Sequence, residues 1–289
     1  MSAVYEVAHI SKQALHQHRI RSIKKATEAY KFFDLADKER IDHPGVGCRK
    51  LANKFKMAGW GRDKVEHLLL DNGYRLYYPP NYTRTTYSQS DILYPNLIEG
   101  MELTAINQVV QTDITYYKVG DRNYYIVFLI DVYSREIVGH GVSKTLEAKG
   151  NISALKKLFN YRLGHSLTSL IHHSDRGSQY IDLEYRALLQ SKGIKPSMCK
   201  AAWENAYTER VNRTLKEEYL DRWNITSYRQ LVSSVNKAVN HYNHKRWHQS
   251  LGNVSPASFA KHVEKLPIDQ RPKHVIYKRL ESNPQNECE

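Results

Sequence analysis

Apolar positions change their period along the chain. Near the start they recur at helical spacing: Cys48, Leu51, Ala52 and Phe55 stand at i, i+3, i+4 and i+7, one face of a helix. Pro44-Gly45-Val46-Gly47 breaks the chain ahead of this segment, and Gly59-Trp60-Gly61 ends it. A second helix is expected from Arg62 to Asn72, closed by Gly73, because glycine accommodates the left-handed residue that terminates helices. Two short helices about a Gly-containing turn make a helix-turn-helix pattern over residues 43–73. In that motif the second helix enters the major groove by its N-terminal end. Arg49, Lys50, Arg62 and Lys64 are therefore candidate DNA contacts. The same pattern also describes an ordinary αα-hairpin.

From Asn107 onward the pattern shortens. Residues 107–117, 124–132 and 135–142 are β-branched and aromatic runs of strand length. The short links between them predict antiparallel pairing. A helix at 148–161, a strand at 168–174, a helix at 180–191, a strand at 194–198 and a long helix at 203–220 follow. This order predicts an α/β domain: a mixed sheet with helices on both faces. A small all-helical region, residues 1–78, precedes it. Pro79-Pro80 and the polar run to Ser88 open a linker over 79–105, the α/β core with C-terminal helices occupies 106–263, and Pro267, Pro272 and Pro284 mark a tail, 264–289, expected to have little structure of its own.

Charge adds a partner to this outline. The 289 residues carry 43 Lys and Arg against 30 Asp and Glu, a net charge of +13. Residues 1–100 hold 16 basic and 11 acidic residues, and residues 101–265 hold 23 and 15. An excess spread over both regions suits a long polyanion lying across them, a nucleic acid; a generally basic protein is the plainer reading. No run approaches the roughly 18 apolar residues of a membrane span, and the N-terminus has no secretory apolar core. Cys48, Cys199 and Cys288 are odd in number and far apart, which fits free thiols in a reducing, cytoplasmic setting.

Three carboxylates invite a chemical reading. Asp113 lies inside the first strand, where a buried charge without a partner is costly. Asp175 follows the strand that ends in His172-His173-Ser174, and a turn-forming role explains it equally well. Glu209 points away from the expected core stripe Trp203, Tyr207, Val211 and Leu215, and shares its helix face with Asn205, Asn212, Arg213 and Lys216, which are candidate DNA contacts. Alone it reads as half of a solvated Glu209–Arg213 pair. Together, three converging carboxylates repel one another by about 4 kcal/mol per close pair at a screened dielectric. Divalent cations remove that repulsion. Oxygen-only ligands suit Mg²⁺ or Mn²⁺, and two such ions can serve the attacking and leaving oxygens of a phosphodiester reaction. Asp131 reads as a turn former. His172 and His173 must face opposite sides of their strand. In the run from His241 to Gln249, Lys245 and Arg246 are candidate phosphate contacts.

Several ordered motifs coincide. They are Asn107-x-Val109-x-x-x-Asp113-Ile114-Thr115-Tyr116, Asp131-Val132-Tyr133-Ser134-Arg135-Glu136-Ile137-Val138-Gly139, His173-Ser174-Asp175-Arg176-Gly177-Ser178-Gln179-Tyr180 and Glu204-Asn205-Ala206-x-x-Glu209-Arg210-x-Asn212. Tyr242-Asn243-x-x-Arg246-x-His248-x-x-Leu251, Ser255-Pro256 and His43-Pro44-x-x-Gly47 join them. With these, residues 40–262 resemble the DDE transposases with a retroviral-integrase core, most of all the second-frame (OrfB) transposases of insertion-sequence family three. The resemblance implies an RNase H-like core and a catalytic, metal-binding triad of Asp113, Asp175 and Glu209 with two Mg²⁺ or Mn²⁺ ions. It implies cleavage at element ends to expose 3′-hydroxyls, then attack of those hydroxyls on target DNA without a covalent enzyme intermediate. The implied partners are the element's terminal inverted repeats and target DNA, further copies of the chain on that DNA, and a first-frame helix-turn-helix protein. The implied location is the bacterial nucleoid. Two other readings compete: a DNA-binding protein without catalysis, and a nuclease that only hydrolyses. The chain departs from the family pattern in its short gap of 33 residues between Asp175 and Glu209, and in Cys199-Lys200-Ala201-Ala202-Trp203, which lacks the usual glycine.

Overall fold

The computed structural model describes residues 11–78, 94–199 and 201–277. The linker opening at Pro79 to Ser88, Lys200, Pro284 and Cys288 lie outside the described residues. The chain divides into two compact units, residues 1–78 and 79–289.

The first unit is helical. Helix α1 (Lys12–Asp42) starts at Ser11, whose hydroxyl accepts from the Ala14 amide at 3.0 Å, a capping bond that satisfies an otherwise orphaned N–H. Helices α2 (Cys48–Lys54) and α3 (Arg62–Asp71) follow. The expected stripe is the packed one. Cys48, Leu51 and Ala52 meet Val65 and Leu69 of α3 and Phe32 and Ala36 of α1 in one core. Gly73 takes φ +83° just past α3, as a helix-ending glycine does.

The second unit is built on a five-stranded mixed sheet. A two-residue strand, β1 (Glu102–Leu103), precedes it. Its strands are β2 (Val109–Val119), β3 (Arg122–Asp131), β4 (Ile137–Ser143), β5 (Ile171–Ser174) and β6 (Lys195–Met198), in the spatial order β4-β3-β2-β5-β6. The first three pair antiparallel, and β2–β5 and β5–β6 pair parallel. Helices α4 (Lys149–Tyr161) and α5 (Leu183–Ser191) cover one face, where Val127, Leu129 and Val138 meet Leu155, Leu158 and Leu189. Helices α6 (Ala206–Glu218) and α7 (Tyr228–His244) cover the other, where Ile126, Phe128 and Ile130 meet Val211, Leu215, Val235 and Tyr242. Alternate residues of β3 thus feed two cores, as a strand buried on both faces requires. The predicted α/β class with a mixed sheet and a preceding helical region is the observed one. Helix α4 sits close on β4 because Gly139 and Gly141 offer no side chain; a Cβ on either would stand 2.4 Å from a carbonyl oxygen of α4. No described helix is long and apolar enough to cross a membrane.

Two expectations need correction. The stretch read as a loose tail is ordered as far as Tyr277. Helix α8 (Pro256–Glu264) leads to strand β7 (His274–Val275), which pairs with β1. Ile276 is wholly buried with Ile98, Leu103, Val132 and Val263, so linker and tail close a small core of their own. The helix expected over 203–220 starts later. A 3₁₀ turn over Ala202–Asn205 precedes α6, and the change of pitch rotates Trp203 out of the stripe. Its ring is 48% exposed and lies edge-on to Tyr277. The buried residues of α6 are Thr208, Val211, Asn212 and Leu215.

Candidate active site

Sheet register brings the first two carboxylates together. Asp113 sits opposite Phe128 of β3, so its side chain faces the layer of α6 and α7. In the parallel pair, Val109 aligns with Ile171 and Gln111 with His173. The same offset carried two residues further sets Asp175 level with Asp113, just past the end of β5 at Ser174. Asp175 is also a turn former: its Oδ1 accepts the Gly177 amide at 3.0 Å. A Cβ at Gly177 would come within 3.1 Å of that oxygen and 2.8 Å of Gln179 Oε1, so glycine keeps this carboxylate in place. Glu209 stands exposed in the first turn of α6, where a negative charge favours the helix dipole.

Three amides fasten α6 to β2. Gln111 is buried; its Nε2 donates to the Glu204 carbonyl at 2.9 Å and its Oε1 accepts the Tyr207 amide at 3.3 Å. Asn205 Nδ2 donates to the Thr112 carbonyl at 2.8 Å, and its Oδ1 accepts the Thr208 hydroxyl at 2.7 Å. Asn212 Nδ2 donates to Asp113 Oδ2 at 2.8 Å. These bonds index the helix that carries Glu209 against the strand that carries Asp113.

The electrostatics follow from that closeness. Burial pushes Asp113 up to about 7, the Asp175 and Glu209 charges push the same way, and the Asn212 bond opposes them. Burial also raises Asp175. Beneath them Tyr180 is fully buried, its hydroxyl 3.4 Å from Thr112 Oγ1, and burial plus both aspartates hold its proton firmly. Lys216 lies over the Tyr116 ring at 5.0 Å; burial lowers its pKa, while Asp221 and Asp113 pull it back. Among the described residues the oxygens of the three acids do not all lie within 4.8 Å of one another.

The other expected residues divide. Asn205 does not face DNA as expected: it is buried, with both ends of its amide engaged. Nor is Arg246 the expected phosphate contact: it is 8% exposed and gripped by Glu218 through two bonds of 2.8 and 2.9 Å. Asn212 is buried against Asp113, which makes it a support for the carboxylate. Arg213, Lys245, Arg49, Arg62 and Lys64 are exposed, and Lys50 is half-buried. Arg49 pairs with Glu66 at 3.0 Å, Arg62 with Asp63 at 2.7 Å, and Lys64 caps the Trp60 ring. Glu204 is buried and accepts from Asn96 at 3.0 Å. His172 contacts Tyr185 and His173 contacts Ser197, on opposite faces. Asp131 is the turn former expected, accepting from Ser134 and Asn107 amides at 2.8 and 2.7 Å. Sequence reasoning missed Gln111 and Tyr180. A buried glutamine on the Asp113 face of a strand was the available signal for the first; nothing local marked the second.

Known proteins resemble this chain in sequence. Residues 104–202 match a family model described as Integrase core domain, and residues 192–256 match a second of that description. The insertion element IS600 31 kDa protein of Shigella sonnei is 33% identical over 224 residues, 74% of this chain and 80% of that protein. The transposase for insertion sequence element IS904 of Lactococcus lactis is 32% identical over 174 residues, 58% of this chain and 67% of that one. Among solved structures, the HTLV-2 integrase catalytic core domain in complex with magnesium is 20% identical with a TM-score of 0.43, covering 57% of this chain and 99% of that one.

Proposed function

The chain belongs to the insertion-sequence transposases that carry an integrase core domain, and from that premise we propose that Asp113, Asp175 and Glu209 form the centre at which it cuts and joins DNA strands. The observation that carries this reading is the Asp113 carboxyl, pushed up to about 7 by burial and by Asp175 and Glu209. Such a cluster is unfavourable as it stands and favourable around a divalent cation. The donor set is all carboxylate oxygen, which fits Mg²⁺ or Mn²⁺ and not zinc. A pair of such ions, when bound, supplies positive charge to the attacking and leaving oxygens at phosphorus.

The chain's own groups do the rest. Asn212 orients Asp113, and Gln111 and Asn205 hold α6 so that Glu209 faces the cleft. Arg213 and Lys216 hold the scissile phosphate against the helix. In the first reaction a water oxygen attacks phosphorus and the bond to O3′ breaks, leaving a free 3′-hydroxyl. In the second that hydroxyl attacks a target phosphorus and displaces the target's own O3′, so bonds made equal bonds broken. Arg62 and Lys64 at the start of α3 read the element's ends, and two ends require at least two copies of the chain on DNA.

The test uses purified protein, Mg²⁺ and duplexes bearing the inverted repeats that flank its coding region. Cutting and end-joining are expected. Asp113→Asn and Glu209→Gln should bind the duplex and leave it intact. Full activity in both variants would overturn the triad, and cutting without joining would reduce the protein to a nuclease.

A further inference from the structure

We propose that the first half of helix α1, residues 12–25, is a basic arm that lies along a DNA backbone, adding phosphate contacts to those of the helix pair. This rests on the DNA-joining function above and extends it to a segment no motif covers.

Helix α1 has 31 residues, about 45 Å at the usual rise. Its buried residues are Phe32 and Ala36, so only its last part belongs to the core of the first unit. From Ser11 to Thr27 every residue is exposed except the half-buried Leu15. Tertiary packing therefore does little for this stretch, and a helix of that length without packing is marginal in water. Its charge makes matters worse. Lys12, Arg19, Arg21, Lys24 and Lys25 fall here, and no Asp or Glu occurs between Ser11 and Thr27. Among the described residues none of these five cations has a carboxylate partner. Further along the same helix the pattern is the opposite: Lys38 pairs with Asp34 at 2.6 Å, and Glu39 holds Lys54 at 2.6 Å. Neutralisation is thus present where the helix joins the core and missing where it leaves it.

Arg21, Lys24 and Lys25 fall within an arc of about 100° at helical spacing. Arg21 and Lys25 are an i,i+4 like-charge pair, which repels. A row of phosphates removes that repulsion and releases counterions. Ile20 and Ile23 are also exposed, at 47% and 67%, and offer a flank to a second copy of the arm. Pairing of two arms would set five cations against five others with no acid between them, so charge favours the polyanion.

The experiment measures binding of the full chain to a labelled duplex of arbitrary sequence by fluorescence anisotropy, from low to moderate salt. The variant Arg21→Gln/Lys24→Gln/Lys25→Gln touches no packed residue. It should lower the slope of log K against log salt by about 2–3, at about 0.9 for each phosphate that the arm no longer neutralises. The charge-keeping variant Arg21→Lys/Lys24→Arg/Lys25→Arg should hold the original slope, which separates charge from helix shape. Wild-type binding with an unchanged slope in the Gln variant overturns the arm and leaves the joining function standing. No salt-dependent binding by the wild type overturns both. An unchanged slope together with a lower sedimentation mass for Ile23→Asp would assign the segment to chain–chain contact, and the proposal would be wrong.

Discussion

Replacing Asn212 with leucine isolates one hydrogen bond at the proposed centre. Leucine has the branching and heavy-atom count of asparagine but is somewhat bulkier, so the folded state is checked by unfolding beside the binding assay. What disappears is the 2.8 Å bond from Nδ2 to Asp113 Oδ2. A hydrogen bond to a charged acceptor is worth about 1.5–3 kcal/mol, and one pKa unit is about 1.36 kcal/mol. The bond favours the ionised carboxylate, so its loss raises Asp113 by about one to two units above the value of about 7 that burial and its acidic neighbours already impose. At neutral pH the free site would then be almost wholly protonated at Asp113. Because a cation must displace that proton, its apparent affinity at pH 7 should fall by about five- to fiftyfold. The gap should narrow as pH rises toward 9, where both forms ionise. Titration of Mn²⁺ into the protein–duplex complex at several pH values reads this directly, with strand cutting as a second readout. Stability should change less than the bond's worth, since Asn212 Oδ1 is buried without a hydrogen-bond partner among the described residues and leucine removes that unsatisfied atom. An Asn212→Leu protein with wild-type Mn²⁺ affinity across the whole pH range would refute the reasoning.

Two further predictions concern the scaffold. Gly139→Ala places a methyl 2.4 Å from the Ala154 carbonyl oxygen; since that neighbour is backbone and cannot swing aside, a loss of about 1–3 kcal/mol is expected, read as a lower midpoint in denaturant, and an unchanged midpoint would contradict the close packing of α4 on β4. Arg162→Met strands Glu136, which Arg162 holds at 2.6 Å, and Asp131, which lies 3.9 Å from it. Removing one member of a buried ion group destabilises by about 3–5 kcal/mol, and the double variant Arg162→Met/Glu136→Gln should regain part of that loss in the same unfolding assay.

Much of the architecture was legible without coordinates. The unbroken apolar run Ile126 to Ile130 marks a strand, and Cys48, Leu51 and Ala52 mark a helix face, because local apolar patterning survives folding. Of the three carboxylates only Asp113 was legible on local grounds, because a charged residue inside a strand conflicts with its surroundings; Asp175 and Glu209 stood out only through the ordered motifs they share. The partners of polar groups were not legible. Asn205 and Arg246 looked like free phosphate ligands, yet one holds the Thr112 carbonyl and the other holds Glu218. Gln111 looked like an ordinary strand residue, yet it fixes α6. Trp203 fitted a four-residue repeat until a 3₁₀ turn changed the phase.

What residue order determined by itself, then, was which segments become strands and helices, which faces they bury, and that Asp113 is out of place in its strand. The tertiary structure decided that Asp175 comes level with Asp113, that α6 docks on β2 through three amides, and that the tail returns to pair with β1. The physical reason is separation along the chain. Backbone preference and side-chain period act over a few residues, whereas a parallel register or a buried hydrogen bond joins groups sixty to a hundred or more positions apart, and its geometry exists only once both cores have closed.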